Sequence, residues 1–278
     1  MRSTPFTLEP RAGDVIRGDI RLPDAEGARP ETAVIVVHGF KGFKDWAFFP
    51  HVCERLAAAG HAVISFNFSH NGVGPDLEHF SELEKFGENT LSLELDELRL
   101  VLDEVCSGAL LGWIPEEVGL LGHSRGGGQA ILATHEDGRV ASLVTWAAVA
   151  DFDRWTDETK EAWREDGRIW IANQRTGQQM PLDLTLLEDF ERNRERLDIL
   201  TAAKSVPVPW LIVHGREDAS VSPEDGRALD EASTTGNLRW VESAGHTFEA
   251  RHPFTESPPE LDEALSATLE HFDRTLRG

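Results

Sequence analysis

The stretch Val118-Gly119-Leu120-Leu121-Gly122-His123-Ser124-Arg125-Gly126-Gly127-Gly128 decides how the chain is interpreted. An apolar run typical of a strand ends at Gly122, Ser124 follows two residues later, and residues 129–133 begin a helical pattern. Gly-x-Ser-x-Gly between a strand and a helix is the nucleophile-elbow pattern. The residues flanking the serine must lack bulk, because the strand and helix backbones nearly touch at this turn. The serine oxygen is therefore expected above the sheet edge, facing a helix N-terminus.

Charge narrows the classes of partner that the chain can have. Its 278 residues carry a net charge of -22, which argues against binding to nucleic acid or to an anionic membrane surface. No stretch approaches the roughly 18 apolar residues of a membrane span, and the N-terminus lacks the apolar run of a signal peptide. We therefore expect a cytoplasmic protein.

Basic residues are mostly arginine, with 22 arginines and 5 lysines. An acidic, lysine-poor surface suits a cytoplasm with high salt, where screening hides self-repulsion; the alternative is an acidic protein from a GC-rich genome. Cys53 and Cys106 lie in apolar, helix-like stretches, and we expect two free thiols. No metal-type cysteine spacing occurs, so neither a metal nor a cofactor is predicted.

Strand and helix patterns alternate along most of the chain, which predicts an α/β fold with a doubly wound, mostly parallel sheet. Residues 33–37 are continuously apolar and β-branched, as in a strand buried on both faces. The predicted strands cover residues 6–8, 15–22, 33–37, 61–66, 118–121, 141–148, 210–213 and 238–241. The predicted helices cover residues 51–60, 91–106 and 259–276, in addition to the helix after Ser124.

The alternation breaks between residues 151 and 204, a charged segment that contains Trp155, Trp163 and Trp170. Residues 168–173 and 178–180 flank Gln174-Arg175-Thr176-Gly177, which predicts a small hairpin, and residues 184–200 predict one charged helix. Because linkers lack tryptophans, we interpret residues 151–204 as an inserted cap on a core formed by residues 1–150 and 205–278.

Three loops that follow predicted parallel strands carry the residues of a nucleophilic site. Ser124 follows the strand at 118–121, Asp218 the strand at 210–213, and His246 the strand at 238–241. Such loops meet at one edge of the sheet. A serine hydroxyl needs a base to take its proton, imidazole is a suitable base, and a carboxylate on its other nitrogen fixes the tautomer.

Backbone N–H groups should stabilise the oxyanion that develops in such a site. Arg125, directly after the nucleophile, and Phe40, after His38-Gly39, are the expected donors. His38 is expected to brace the oxyanion loop, and His123 to be structural.

Several assignments stay open at the level of the sequence. Glu217, Asp225 and Asp151 compete with Asp218 for the carboxylate. A structural role competes for His246, while His252 falls later than the motif requires. The pocket candidates are His70, Trp155 and Trp170. His70 lies in a Ser-His-Asn loop for which loop shaping is the favoured role, and the tryptophans either fill the cap core or contact substrate.

Over residues 15–276 the sequence resembles the α/β-hydrolase superfamily, near bacterial dienelactone hydrolases, cinnamoyl esterases and serine aminopeptidase-like hydrolases. The chain order Ser, Asp, His is the order of that superfamily. The resemblance is carried by His38-Gly39-Phe40, Gly122-His123-Ser124-Arg125-Gly126-Gly127, Gly215-Arg216-Glu217-Asp218 and Gly245-His246. It implies a triad of Ser124, Asp218 and His246, and a lid role for the insertion. Dienelactone hydrolases use a cysteine nucleophile, so the serine argues against that activity.

Three functions follow from this interpretation, in order of preference. The first is a serine hydrolase that cleaves small-molecule carboxylic esters through an acyl-enzyme. The second is a peptidase or amidase, for which the acidic residues Asp151, Asp153, Glu158 and Glu161 could anchor a free amine. The third is a catalytically silent binding protein on the same fold. The sequence makes no prediction of the oligomeric state.

Overall fold

A computed structural model describes residues 2–24, 27, 29–173 and 176–276 of the chain. Ten strands were found in these ranges. They are β1 (Arg2–Arg11), β2 (Asp14–Leu22), β3 (Thr32–Val37), β4 (Ala62–Asn67), β5 (Glu117–His123), β6 (Val140–Trp146), β7 (Arg168–Ala172), β8 (Gln179–Asp183), β9 (Trp210–Gly215) and β10 (Gly236–Val241).

Eight of these strands form one sheet in the order β1-β2-β4-β3-β5-β6-β9-β10. β1 pairs antiparallel with β2, and β2 antiparallel with β4, whereas every other neighbouring pair is parallel. Every residue of β3 and β4 is buried, as expected for largely apolar strands in the middle of the sheet. The predicted α/β fold with a mostly parallel sheet is confirmed.

Nine helices accompany the strands within the described residues. They are α1 (Phe49–Ala58), α2 (Leu83–Gly87), α3 (Leu91–Cys106), α4 (Arg125–Glu136), α5 (Asp157–Asp166), α6 (Leu184–Arg192), α7 (Ile199–Ala203), α8 (Pro223–Ala232) and α9 (Pro259–Thr275). α3, α4, α7 and α8 pack side by side, while α9 packs against β6, β9 and β10. Helices α2, α5 and α8 were not predicted from the sequence.

The segment between β6 and β9 contains α5, the β7–β8 hairpin, α6 and α7. The predicted hairpin is confirmed by the antiparallel pairing of β7 with β8; Gln174 and Arg175 of its expected turn lie outside the described residues. The prediction of one helix over residues 184–200 was wrong, because Asn193 ends α6 and Asp198 begins α7. The Asp198 carboxylate accepts the Thr201 N–H at 2.9 Å, which is an N-cap that starts a new helix.

Polar contacts attach the hairpin to loops of the main sheet. Arg168 pairs with Glu84 of α2 at 2.8 Å, and the Gln178 amide donates to the Phe80 carbonyl at 3.1 Å. On the other side, Lys41 Nζ donates to the Ala172 carbonyl at 3.3 Å.

Across the described ranges, none of the helices combines the length and the apolar character that a membrane crossing requires.

Candidate active site

Ser124 occupies a sharp turn between β5 and α4, with φ 59° and ψ -123°. A positive φ is uncommon for a residue other than glycine and is stored where the surrounding structure enforces it. The glycines of the motif allow the backbone of the turn to lie very close to neighbouring backbone segments. A Cβ at Gly126 would lie 2.4 Å from the His38 carbonyl oxygen, and one at Gly122 would lie 2.4 Å from the Gly126 carbonyl oxygen. The motif is thus a steric requirement of the turn that presents Ser124.

A continuous chain of hydrogen bonds links the three residues singled out from the sequence. His246 Nδ1 lies 2.8 Å from Asp218 Oδ2, and His246 Nε2 lies 3.0 Å from Ser124 Oγ. An ionised carboxylate only accepts hydrogen bonds, so Nδ1 carries the ring proton and Nε2 is left to accept from the serine hydroxyl. The arrangement prepares Ser124 to lose its proton to His246.

Asp218 is held in the ionised form by its surroundings. Burial alone would raise the pKa of its carboxyl, but the hydrogen bond from His246 and those from the Val221 and Ser220 N–H groups hold the pKa below its usual range. The two N–H groups donate to Oδ1 at 2.9 and 2.8 Å. Oδ1 is therefore occupied by the backbone, and Oδ2 remains for the imidazole.

His123, the variable residue of the elbow motif, contacts the backbone of His246. Its Nε2–H donates to the His246 carbonyl oxygen at 2.9 Å, and the two rings are 4.8 Å apart. The expected structural role of His123 therefore takes a specific form, since its side chain fixes the loop that carries His246.

The loop after β3 lies directly beside Ser124. A Cβ at Gly39 would come within 2.9 Å of Ser124 Cβ, so the backbone of residues 39 and 40 approaches the serine closely. His38 Nδ1–H donates to the Gly39 carbonyl at 2.9 Å, while its Nε2 accepts from the Phe68 N–H at 3.4 Å. Burial lowers the pKa of His38 to about 4, and the imidazole is neutral at pH 7. His38 has the contacts of the brace that the sequence analysis expected.

The two residues expected to donate backbone N–H groups are joined through their side chains. The Arg125 guanidinium lies over the Phe40 ring, 3.9 Å from its centre, and Phe40 also stacks with Phe86 at 5.5 Å. Arg125 pairs with the buried Glu94 at 3.5 Å. Arg125 is the first residue of α4, where backbone N–H groups have no partner within the helix.

A cavity of about 870 Å³ opens beside Ser124 and His246. The apolar part of its wall is mostly aromatic, which suits an organic substrate with an apolar body. The apolar lining comprises Phe40, Trp46, Phe49, Val149, Phe152, Trp155, Val221 and Ala250. Phe152 and Trp155 come from the segment after β6, so this segment forms part of the wall.

The three pocket candidates occupy different surroundings. Trp155 lines the cavity and packs edge-on against the buried Trp163. Trp170 does not line it, because its side chain points to solvent and is 56% exposed. His70 also lies outside the lining, because its Nε2 pairs with Asp14 at 3.0 Å. The last two candidates are therefore corrected to a surface residue and a loop residue.

The residues that compete with Asp218 and His246 in the sequence have other partners or positions in the structure. Asp225 Oδ2 accepts from Arg154 at 3.0 Å, and Asp151 Oδ1 accepts the Asp153 N–H at 2.9 Å. Glu217 is exposed. His252 lines the cavity, but its Nδ1 accepts the Ala47 N–H at 3.1 Å. Among the residues that the structure describes, no group of three or more His, Cys, Asp or Glu side chains is arranged to hold a metal ion.

Sequence reasoning missed several lining residues, among them Phe49, Phe152 and Arg251. They come from three loops or helices far apart in the chain. None of them belongs to a sequence motif, so no local pattern predicts that it lines the cavity. The only available signal was its position in a loop or helix that follows a strand at the edge of the sheet where Ser124 lies.

Comparisons with known proteins agree with this architecture. A family model described as "Alpha/beta hydrolase family" matches residues 34–264. An uncharacterised 31.7 kDa protein from the traX-finO intergenic region of Escherichia coli is 26% identical over 255 residues, which cover 81% of this chain and 85% of that protein.

Solved structures with the same fold cover the chain almost completely. A putative hydrolase from Agrobacterium vitis S4 has a TM-score of 0.73 at 20% identity, covering 97% of this chain and 98% of its own. Est1E from Butyrivibrio proteoclasticus has a TM-score of 0.71 at 17% identity and 99% coverage of both chains, and it has also been solved with ferulic acid bound. At such identities the likeness establishes the fold, and the substrate must be argued from the residues of the site.

Proposed function

Because the chain belongs to the alpha/beta hydrolase family, we propose that it is a serine hydrolase that cleaves carboxylic esters through an acyl-enzyme. The observation that carries the proposal is the hydrogen-bonded series Asp218–His246–Ser124, with distances of 2.8 and 3.0 Å. Such a series activates a hydroxyl that would otherwise be a poor nucleophile.

In the first half of the reaction, Ser124 Oγ attacks the ester carbonyl carbon as His246 Nε2 takes the hydroxyl proton. The tetrahedral intermediate collapses, the bond to the alcohol oxygen breaks, and His246 gives its proton to the departing alcohol. Water then attacks the acyl-enzyme with the same base, which releases the carboxylic acid and restores Ser124. Asp218 keeps the imidazole in the required tautomer and stabilises the imidazolium that forms twice in each cycle.

The backbone N–H groups of Phe40 and Arg125 are proposed to bind the negatively charged oxygen of both tetrahedral intermediates. Preorganised donors of this kind contribute about 2.7–4 kcal/mol each to transition-state stabilisation. Support comes from the approach of Gly39 to Ser124 and from the position of Arg125 at the start of α4.

Residues 151–204 are proposed to act as a cap over the acyl or alcohol part of the substrate, on a core of residues 1–150 and 205–278. Phe152 and Trp155 in the cavity wall, and the contact of Lys41 with Ala172, support this role. The acidic residues that would anchor a free amine do not support the peptidase alternative. Asp153 pairs with Lys160 at 2.6 Å, and none of Asp151, Asp153, Glu158 and Glu161 lines the cavity.

The proposal is tested by replacing the nucleophile. Ser124→Ala should abolish turnover of a panel of short, long and hydroxycinnamate esters, and it should prevent covalent labelling by a fluorophosphonate. Ser243→Ala is the matched control, because Ser243 is an exposed serine near His246. Turnover or labelling that survives in Ser124→Ala at the wild-type level would contradict the proposal, as would an unlabelled wild-type protein that hydrolyses no ester.

A further inference from the structure

The charge of the cavity lining is opposite to that of the protein. The chain carries 49 acidic and 27 basic residues. The described residues that line the cavity nevertheless include Lys41, Arg125, Arg154 and Arg251, and they include no aspartate or glutamate. An acidic surface repels anions from a protein, so a cationic cavity within it is a local exception that changes what can enter.

Two of the four cationic side chains are already paired with carboxylates behind the wall. Arg125 contacts Glu94 at 3.5 Å, and Arg154 donates to Asp225 at 3.0 Å and to the Ser220 carbonyl at 2.8 Å. Each of these two guanidinium groups therefore has a carboxylate beside it, which offsets part of its charge. Arg251 is therefore the lining cation that is available to a ligand.

Arg251 makes no hydrogen bond or ion pair with any residue that the structure describes. It is exposed at the cavity rim, five residues after His246 in the chain. Lys41, by contrast, is already engaged at the wall, because its Nζ donates to the Ala172 carbonyl at 3.3 Å and lies 5.7 Å from the centre of the Phe40 ring. A guanidinium at the rim of an aromatic cavity can bind a carboxylate in a two-point contact while the apolar part of the ligand fills the interior.

We propose that the preferred substrate is an ester with an apolar body that ends in a carboxylate, and that Arg251 binds this carboxylate. The inference rests on the proposed ester hydrolysis and adds the chemical class of the substrate. The carboxylate can belong to the acyl part or to the alcohol part of the ester. Both arrangements present the same anionic group to Arg251, and substrates charged on the acyl side or on the alcohol side distinguish them.

Two pairs of substrates, each differing only in a terminal carboxylate or methyl group, test the inference. Monomethyl adipate and methyl hexanoate compare the charge on the acyl side, while 4-acetoxybutanoate and butyl acetate compare it on the alcohol side. Hydrolysis is followed by proton release at constant pH. We expect kcat/KM of the wild-type protein to favour the anionic member of one pair about fivefold or more.

Arg251 is then replaced by alanine, glutamate and lysine. Arg251→Ala should reduce the anionic-to-neutral ratio of kcat/KM about fivefold, Arg251→Glu should reduce it further, and Arg251→Lys should restore part of it. Arg29→Ala is the matched control, since Arg29 is an exposed arginine before the amino end of β3, at the opposite edge of the sheet. A wild-type preference for both neutral esters, or a ratio that Arg251→Glu leaves unchanged, would overturn the inference.

Binding without chemistry separates this inference from the proposed function. In Ser124→Ala, the fluorescence of Trp46 and Trp155 in the cavity wall can report binding of the intact esters. We expect tighter binding of the anionic ester than of its neutral partner, and loss of this difference in the Ser124→Ala, Arg251→Ala double variant. Equal binding of the two by Ser124→Ala contradicts the anionic-substrate inference, whereas absent turnover of every ester by the wild-type protein contradicts the proposed hydrolysis.

Discussion

Replacing Asp218 by asparagine changes one hydrogen bond of the proposed triad while keeping the shape of the side chain. In the native protein Oδ1 accepts the N–H groups of Ser220 and Val221, and Oδ2 accepts the Nδ1–H of His246. Because the two backbone donors hold the asparagine oxygen at the Oδ1 position, its NH₂ group must face His246. A donor facing Nδ1 forces the ring proton to Nε2, where it can no longer accept the proton of Ser124.

The expected loss follows from this change of tautomer. The same replacement in a Ser-His-Asp triad lowers kcat about 10⁴-fold, which corresponds to about 5.5 kcal/mol in the activation free energy. We expect a loss of this size for Asp218→Asn, measured as kcat on a short p-nitrophenyl ester after titration of the active sites of the wild-type protein. Circular dichroism should show a folded variant, because both backbone donors retain their acceptor.

Asp225→Asn is the control, because this carboxylate belongs to the same region and is bonded to Arg154. Its kcat should stay within about tenfold of the wild-type value, since the fold and the proposed triad are unaffected. An Asp218→Asn variant that keeps more than about a tenth of the wild-type kcat would refute the argument from the tautomer. A larger loss in Asp225→Asn than in Asp218→Asn would reassign the carboxylate.

Two further predictions concern stability and salt. Burial lowers the pKa of His38 to about 4 from 6.5, so its neutral form contributes stability in full above pH 6.5, and this contribution is lost as the pH falls from 6.5 to 4. The loss should reach about 3 kcal/mol in the free energy of unfolding measured by urea titration. In His38→Gln the free energy of unfolding should depend less on pH between 6.5 and 4, and an unchanged pH dependence would contradict the assignment of this loss to His38. The acidic, lysine-poor composition predicts that ester hydrolysis persists or rises in molar salt, whereas a sharp loss of kcat there would count against a halophilic origin.

The sheet was predictable because its signals are local. Residues 33–37 form a β-branched apolar run, and all six residues of β3 are buried. The elbow is also local, since the strain at Ser124 and the close approach of Gly122 to Gly126 both follow from spacing within five residues. Helices α5 and α8 were not predicted because each buries few of its residues. Neither therefore has the wide apolar stripe by which a helix is recognised from its sequence periodicity.

The cavity was the least predictable part, because its wall is assembled from loops that are distant in the chain. Trp170 looks like a pocket residue in the sequence but points to solvent, whereas Arg251 looks like a surface residue but lies at the rim. Side-chain type therefore did not decide which of them lines the cavity. That choice depends on how the segment after β6 and the loop after β10 meet the edge of the sheet, and no periodicity reports this.

The proposed oxyanion donors show why a motif can indicate a reaction without revealing what would make it efficient. The motif assigns Phe40 and Arg125 through their backbone N–H groups, for which their side chains are irrelevant. In the structure the Arg125 guanidinium lies 3.9 Å from the centre of the Phe40 ring and pairs with Glu94. Because this contact joins the two proposed donors directly, neither loop can shift without disturbing the other. Electrostatic stabilisation depends on donors that do not reorganise as charge develops, so we expect the contacts of the Arg125 side chain with Phe40 and Glu94 to contribute the rigidity that the proposed backbone donors require.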